Sequence, residues 1–151
     1  MKKVKYTNPN HSTDELAEPF MTYAFPSSVN VRHIESLRNG VSATQVEKVQ
    51  ALFGLTQVSM AETLHLTPKT LRVKIKEKGR VDALQGSLIM AMIEVGHLGQ
   101  SLFGGKAQFI SWLNMTSQAL GDRRPITLID TFQGLTLLRS ELESIADGNF
   151  A

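Results

Sequence analysis

The stretch LTPKTLRVKIKEKGR, Leu66 to Arg80, carries six of the chain's 16 Lys and Arg residues beside one acid, Glu77, of 14. The rest of the chain holds ten bases against thirteen acids, so the positive charge is a local property of this stretch. A local basic stripe asks for a local polyanionic partner. The same residues read as a helix with punctuation at both ends. Thr67 suits the N-cap, Pro68 the first helical position, where its missing N–H costs nothing, and Gly79 the stop. A short helix capped by Thr56 precedes it over TQVSMAETLHL, with Val58, Ala61 and Leu64 as inward residues, and only LHLT separates the two. Helices joined by so short a turn are predicted to cross as a helix-turn-helix: small Ala61 permits close approach, while Leu64, Leu66 and Leu71 fill the crook. The outer face then presents Thr67, Lys69, Thr70 and Arg72 to base edges, and Lys74, Lys76, Lys78 and Arg80 to phosphates. A solvated helix face is the competing account of these charges, and the shortage of acids within the run favours DNA. His65 occupies the turn position that glycine often takes, so its backbone must tolerate the left-handed region or the turn must differ.

Outward from this unit the pattern stays helical. Upstream, SATQVEKVQALFG places Val46, Val49 and Phe53 on one face between Ser42 as N-cap and Gly54 as stop. Downstream, ALQGSLIMAMIEVGHLGQSLFG sets Leu84, Leu88, Met92 and Val95 about one turn apart. Phe109, Trp112 and Leu113 share a face in KAQFISWLNM, and Leu135, Leu138, Leu142 and Ile145 align before Gly148. Period-two alternation never persists, so the expected fold class is all-α with no strand. Residues 1–33, with Pro9, Pro19 and Pro26, read as a mobile or loosely docked arm, 34–81 as the helix-turn-helix domain and 82–151 as a helical domain. One such recognition helix makes few base contacts, so a homodimer spanning two half-sites is expected, with the long apolar helix as its candidate interface and plain core as the other use of that helix.

Composition excludes several classes. The chain has 151 residues, 42% hydrophobic and 20% charged, which suits one globular domain or two small ones. It has no Cys, which removes disulfides, thiol catalysis and thiolate zinc sites and fits a reducing compartment. MKKVKYTNPNHS is basic but leads into no apolar run, and Leu88 to Phe103 is too short and too polar to span a bilayer, so a cytoplasmic protein without membrane contact is expected. His11, His33, His65 and His97 lack ligand spacing, Gly104 to Ala107 is no phosphate loop, and no catalytic motif occurs. A binding protein without a cofactor is expected, not an enzyme.

The second half narrows the choice. Trp112-Leu113, Ala119-Leu120-Gly121, Pro125-Ile126, Leu128-Ile129-Asp130-Thr131, Gly134, Leu142, Ile145 and Gly148 occur in an order that resembles the toxin-binding domain of the Xre/MbcA/ParS antitoxins, and the upstream helix-turn-helix agrees. The likeness covers about residues 40–151. It implies an Xre/Cro-like helix-turn-helix followed by a small helical toxin-binding domain, in an antitoxin of a type II toxin-antitoxin system. The implied partners are a RES-domain toxin that consumes NAD and the operator DNA of its own operon, which the antitoxin represses. Carried onto this sequence, Gly148, Asn149, Phe150 and Ala151 become the plug of the toxin's NAD pocket. Gly148 would free the chain from its helix, Phe150 would anchor it, and a terminal carboxylate would meet a cationic pocket. Arg123 and Arg124 are further candidates for toxin or dimer contacts. Three departures stand out: QGSLIM around Gly86 and Ser87 where members often carry a Glu-Arg pair, Asp147 where a Tyr precedes the final Gly, and Met115-Thr116-Ser117-Gln118 where the loop after the Trp carries Pro-Asn. A stand-alone helix-turn-helix regulator with a dimerising C-terminal half is the alternative.

Overall fold

The computed structural model describes residues 31–148. The expected arm falls outside them except for its last three residues, which open helix α1, Val31–Arg38. This helix was not expected, because VRHIESLR shows no sustained apolar stripe, and among its described side chains Leu37 packs on the core while Val31 and Ile34 are exposed. Gly40 follows at φ +79, where a Cβ would strike the Val81 carbonyl oxygen.

Two short strands clasp the base of the helix-turn-helix. Strand β1, Val41–Ser42, pairs antiparallel with β2, Arg80–Val81, setting Val41 opposite Val81 and Ser42 opposite Arg80. Two residues per strand leave no alternation to read, which is why the pattern predicted none. The clasp closes around α2 (Ala43–Phe53), α3 (Gln57–Thr63) and α4 (Pro68–Lys76), and the Ala43 N–H extends it by donating to the Gly79 carbonyl at 3.0 Å. Val46, Val49 and Phe53 of α2 are buried as the spacing predicts, and Gly54 ends the helix in the left-handed region at φ +66.

The spine is α5, Ala83–Phe103. It starts with a full capping box, in which the Asp82 side chain accepts from Gln85 N–H and the Gln85 side chain accepts from Asp82 N–H. Three buried glycines let other elements approach its backbone: Gly86 lies against Val41, Gly96 against Leu52 and Phe53, and Gly99 against Phe109. Leu88, Met92 and Val95 are buried in register, but Leu84 is 73% exposed because the first turn of the stripe stands clear of the core. The apolar face of α5 is therefore used largely by the chain's own interior.

Helix α6, Lys106–Asn114, sends Phe109 edge-on to Phe53 with ring centroids 5.5 Å apart. A loop with 3-10 turns at Gln118–Leu120 and Pro125–Leu128 leads to α7, Phe132–Ala146, capped by the Thr131 hydroxyl accepting from Gly134 N–H. Leu135, Leu138 and Leu142 are buried and Ile145 is half-buried. Beside them Arg139, whose side chain is 24% exposed, meets Glu143 at 3.0 Å and Glu94 of α5 at 3.6 Å. One hydrophobic core joins Val46 and Phe53 to Leu71, Met92, Phe109 and Leu138, so the helix-turn-helix and the later helices stabilise one another. Each fully buried Leu or Phe contributes about 1.5–3 kcal/mol relative to exposure. The fold is mainly helical, an N-terminal helix-turn-helix followed by a helical domain, as the pattern predicts.

Candidate nucleic-acid interface

Local chemistry sets where α4 begins and ends. The Thr67 hydroxyl oxygen accepts from Thr70 N–H at 3.1 Å and lies 2.8 Å from the Thr70 hydroxyl, and Pro68 occupies the first turn. At the other end the left-handed residue is Lys78, φ +50, and not the expected Gly79. Lys78 N–H donates to Ile75 O and Gly79 N–H to Lys74 O, a Schellman closure in which glycine comes one position late.

The helix-turn-helix crook forms as its residue sizes predict. Ala61, Leu64 and Leu71 are buried and Leu66 packs at the edge of the core. Val58 is a correction: it was expected inside and is 50% exposed. At about 100° per residue it lies roughly 200° round α3 from Met60, away from the buried side formed by Met60, Ala61 and Thr63. The turn itself adopts the left-handed geometry with His65 in place of glycine, at φ +56. His65 N–H donates to Glu62 O, Leu66 N–H to Ala61 O, and the His65 ring nitrogen Nε2 lies 3.0 Å from the Asp130 carbonyl oxygen.

Leu71 is the one buried residue of α4 and Ile75 packs at the edge of the core, while Lys69, Thr70, Arg72, Val73 and Lys76 are exposed. Thr67 at its cap is exposed too, and among the described residues no cation of α4 is ion-paired. The cations divide in use. Lys74 is half-buried and its Nζ donates to the Arg80 carbonyl at 3.0 Å. The Arg80 guanidinium donates to the carbonyls of Asn39 and Gly40. These two therefore bind the end of α4 to the β clasp, while Lys69, Arg72, Lys76 and Lys78 extend into solvent. Lys74 and Lys76 also sit where the negative end of the helix dipole favours cations. The tethers of His65 and of Gln85, whose amide donates to Leu64 O at 3.3 Å, could not be found from the sequence, because both cross the fold to backbone atoms.

The C-terminal candidates lie apart from this face in the chain. Helix α7 ends at Ala146, and Gly148 is exposed at φ +76 with open space around its Cβ position. Asn149, Phe150 and Ala151 lie outside the described residues. Arg123 and Arg124 are exposed beside the turn formed by Gly121 and Asp122, and α7 leaves Phe132 and Leu137 exposed next to its buried stripe. Among the described residues no helix is long and apolar enough to cross a membrane, and no group of three or more metal-ligating side chains assembles.

A clasped helix-turn-helix whose basic second helix forms no ion pair among the described residues, resting on a helical domain, defines a two-part architecture. Residues 32–90 match the antitoxin Xre-like helix-turn-helix domain, and residues 98–148 match the antitoxin Xre/MbcA/ParS C-terminal toxin-binding domain. The chain belongs to the Xre/MbcA/ParS antitoxin family. The first match ends and the second begins within α5, so a single helix carries both parts. The chain is also similar to a curated protein of Sphingobium sp. (strain YBL2) described as a Prs ADP-ribosylating antitoxin, at 25% identity over 142 residues, covering 88% of this chain and 89% of that one.

Proposed function

We propose that this antitoxin neutralises a RES-domain toxin that consumes NAD, closing the toxin's active site with Gly148, Asn149, Phe150 and Ala151, and that it represses its own operon by docking α4 of a homodimer on operator DNA. The observation that carries the first part is the match to a toxin-binding domain that runs to residue 148, where the chain leaves α7 through an exposed left-handed glycine. The similar Sphingobium antitoxin is described by ADP-ribosylation, a reaction that draws its ADP-ribose from NAD, and this supports a toxin of NAD chemistry. Phe150 supplies apolar area for an anchor in a concave pocket. The second part rests on the helix-turn-helix match and on the unpaired cations of α4. Thr67, Lys69, Thr70 and Arg72 face the groove, Lys76 follows the phosphates, and Lys74 holds the helix end while adding charge.

The test is co-expression with the toxin gene of the same operon. Deletion of Asn149 to Ala151 is expected to abolish protection of growth and NAD content while leaving operator affinity unchanged. Intact protection by the shortened chain would sink the plug. Normal growth when the neighbouring gene is expressed alone would instead point to a stand-alone regulator.

A further inference from the structure

Among the described residues, the non-glycine positions with positive φ are His65, Lys78 and Asp122. Glycine would adopt the left-handed turn at His65 without the steric cost an L side chain meets there. A side chain kept at such a position invites a search for its use. That of His65 reaches another part of the fold, the Asp130 carbonyl oxygen, 65 residues away. A carbonyl only accepts, so His65 Nε2 carries the proton and donates.

Both ends of this hydrogen bond sit at leverage points. His65 lies two residues before Thr67, the cap of α4, while Asp130 lies directly before Thr131, the cap of α7. Ile129, the neighbour of Asp130, is buried in the shared core, so the acceptor is held on a packed segment. The preceding residue of the turn, Leu64, is bound from another side by the Gln85 amide of α5. Leu71 is the one fully buried residue of α4 and Ile75 packs at the edge of the core, so two side chains supply the packing that sets its direction, and a tether at the turn adds to them.

We infer that His65 is a positioning residue for operator recognition: by tying the turn before α4 to the chain entering α7, it sets the direction in which α4 meets DNA and couples that direction to the toxin-binding segment. The inference rests on α4 being the recognition helix. It is tested with the full chain and its own promoter fragment, by measuring affinity over a salt series together with thermal midpoints. His65→Gly and His65→Asn both suit the left-handed turn and neither can reach Asp130. Each is expected to weaken binding about two- to tenfold, the affinity equivalent of one hydrogen bond. The salt slope stays at its wild-type value, because no phosphate contact is removed. Thr131→Ala, which loosens the start of α7, lowers affinity in the wild-type background and adds nothing in the His65→Gly background, since both act through one link.

Wild-type affinity in both His65 variants, a reduced salt slope, or additive effects of Thr131→Ala would each overturn the positioning role. His65→Asn carries the test should His65→Gly lose its fold. Arg72→Ala separates the two levels: if the wild type and Arg72→Ala hold the promoter equally poorly, the recognition-helix reading has failed, and this inference falls with it.

Discussion

Helices α4 and α7 are held in the fold by different means. The nine residues of α4 bury Leu71 alone, whereas the fifteen of α7 bury Gly134, Leu135, Leu138 and Leu142. A nine-residue helix is shorter than the roughly 12–15 residues at which isolated helices become even marginal in water, so α4 persists through the packing of Leu71 and Ile75 together with its caps and tethers. Thr67 holds its start, the Schellman closure at Lys78 its end, and Lys74 and Arg80 fasten that end to the clasp. α7 is held by apolar burial and by Arg139 between Glu94 and Glu143. The comparison teaches that the outer face of α4 is free to carry charge because its core contact is confined to the Leu71 and Ile75 side.

The sharpest break of that contrast comes from opposite substitutions. Leu138→Ala removes a fully buried side chain from α7 and is expected to destabilise the chain by about 2–5 kcal/mol, read as a lower midpoint in urea with an unchanged slope. Arg72→Ala, on the exposed face of α4, is expected to leave stability within about 0.5 kcal/mol of wild type. It should weaken promoter binding by about 1–3 kcal/mol if Arg72 reads a base, or lower the salt slope by about one if it meets a phosphate. A large stability loss from Arg72→Ala, or none from Leu138→Ala, would erase the distinction between the helices.

Thr67→Ala tests whether capping sustains α4. Its hydroxyl is the acceptor for Thr70 N–H, and loss of such a cap costs about 1 kcal/mol. Faster amide exchange confined to the first turn of α4, with α7 unchanged, is the expected signature. Equal exchange in both proteins would show that the helix does not need the cap.

What could be read in the sequence follows the same division. The α4 signals were local, Thr67, Pro68 and a run of bases, and local signals survive in a bare string of residues. The 3.6-residue stripes of α2 and α7 were legible for the same reason. Val58 misled because apolar character does not report direction in a two-turn helix, and β1 and β2 were too short to show a period. The bonds from His65 to Asp130 and from Arg80 to Asn39 and Gly40 cross 65 and about 40 residues to carbonyl groups, which every residue possesses, so no side-chain pattern could announce them. The role expected of the tail comes from a family likeness alone, because Asn149, Phe150 and Ala151 carry no motif of their own.

The finest distinction concerns Lys78, which ends α4 in the left-handed region while Gly54 does the same for α2. Lys78→Gly relieves the steric cost of an L-residue at φ +50, about 1–2 kcal/mol, but also gives the unfolded chain more freedom, an opposing effect of about 0.4–1 kcal/mol. The expected net is stabilisation by about 0.5 kcal/mol, a small rise in the urea midpoint. If the exposed Lys78 ammonium also neutralises a phosphate, the same variant loses about 0.9 from the salt slope of operator binding while the folded state gains. Stability up and binding down would show that the end of α4 is held in strain for the sake of its charge. Stability and binding that fall together would place Lys78 with Lys74 and Arg80, among the residues that hold the helix.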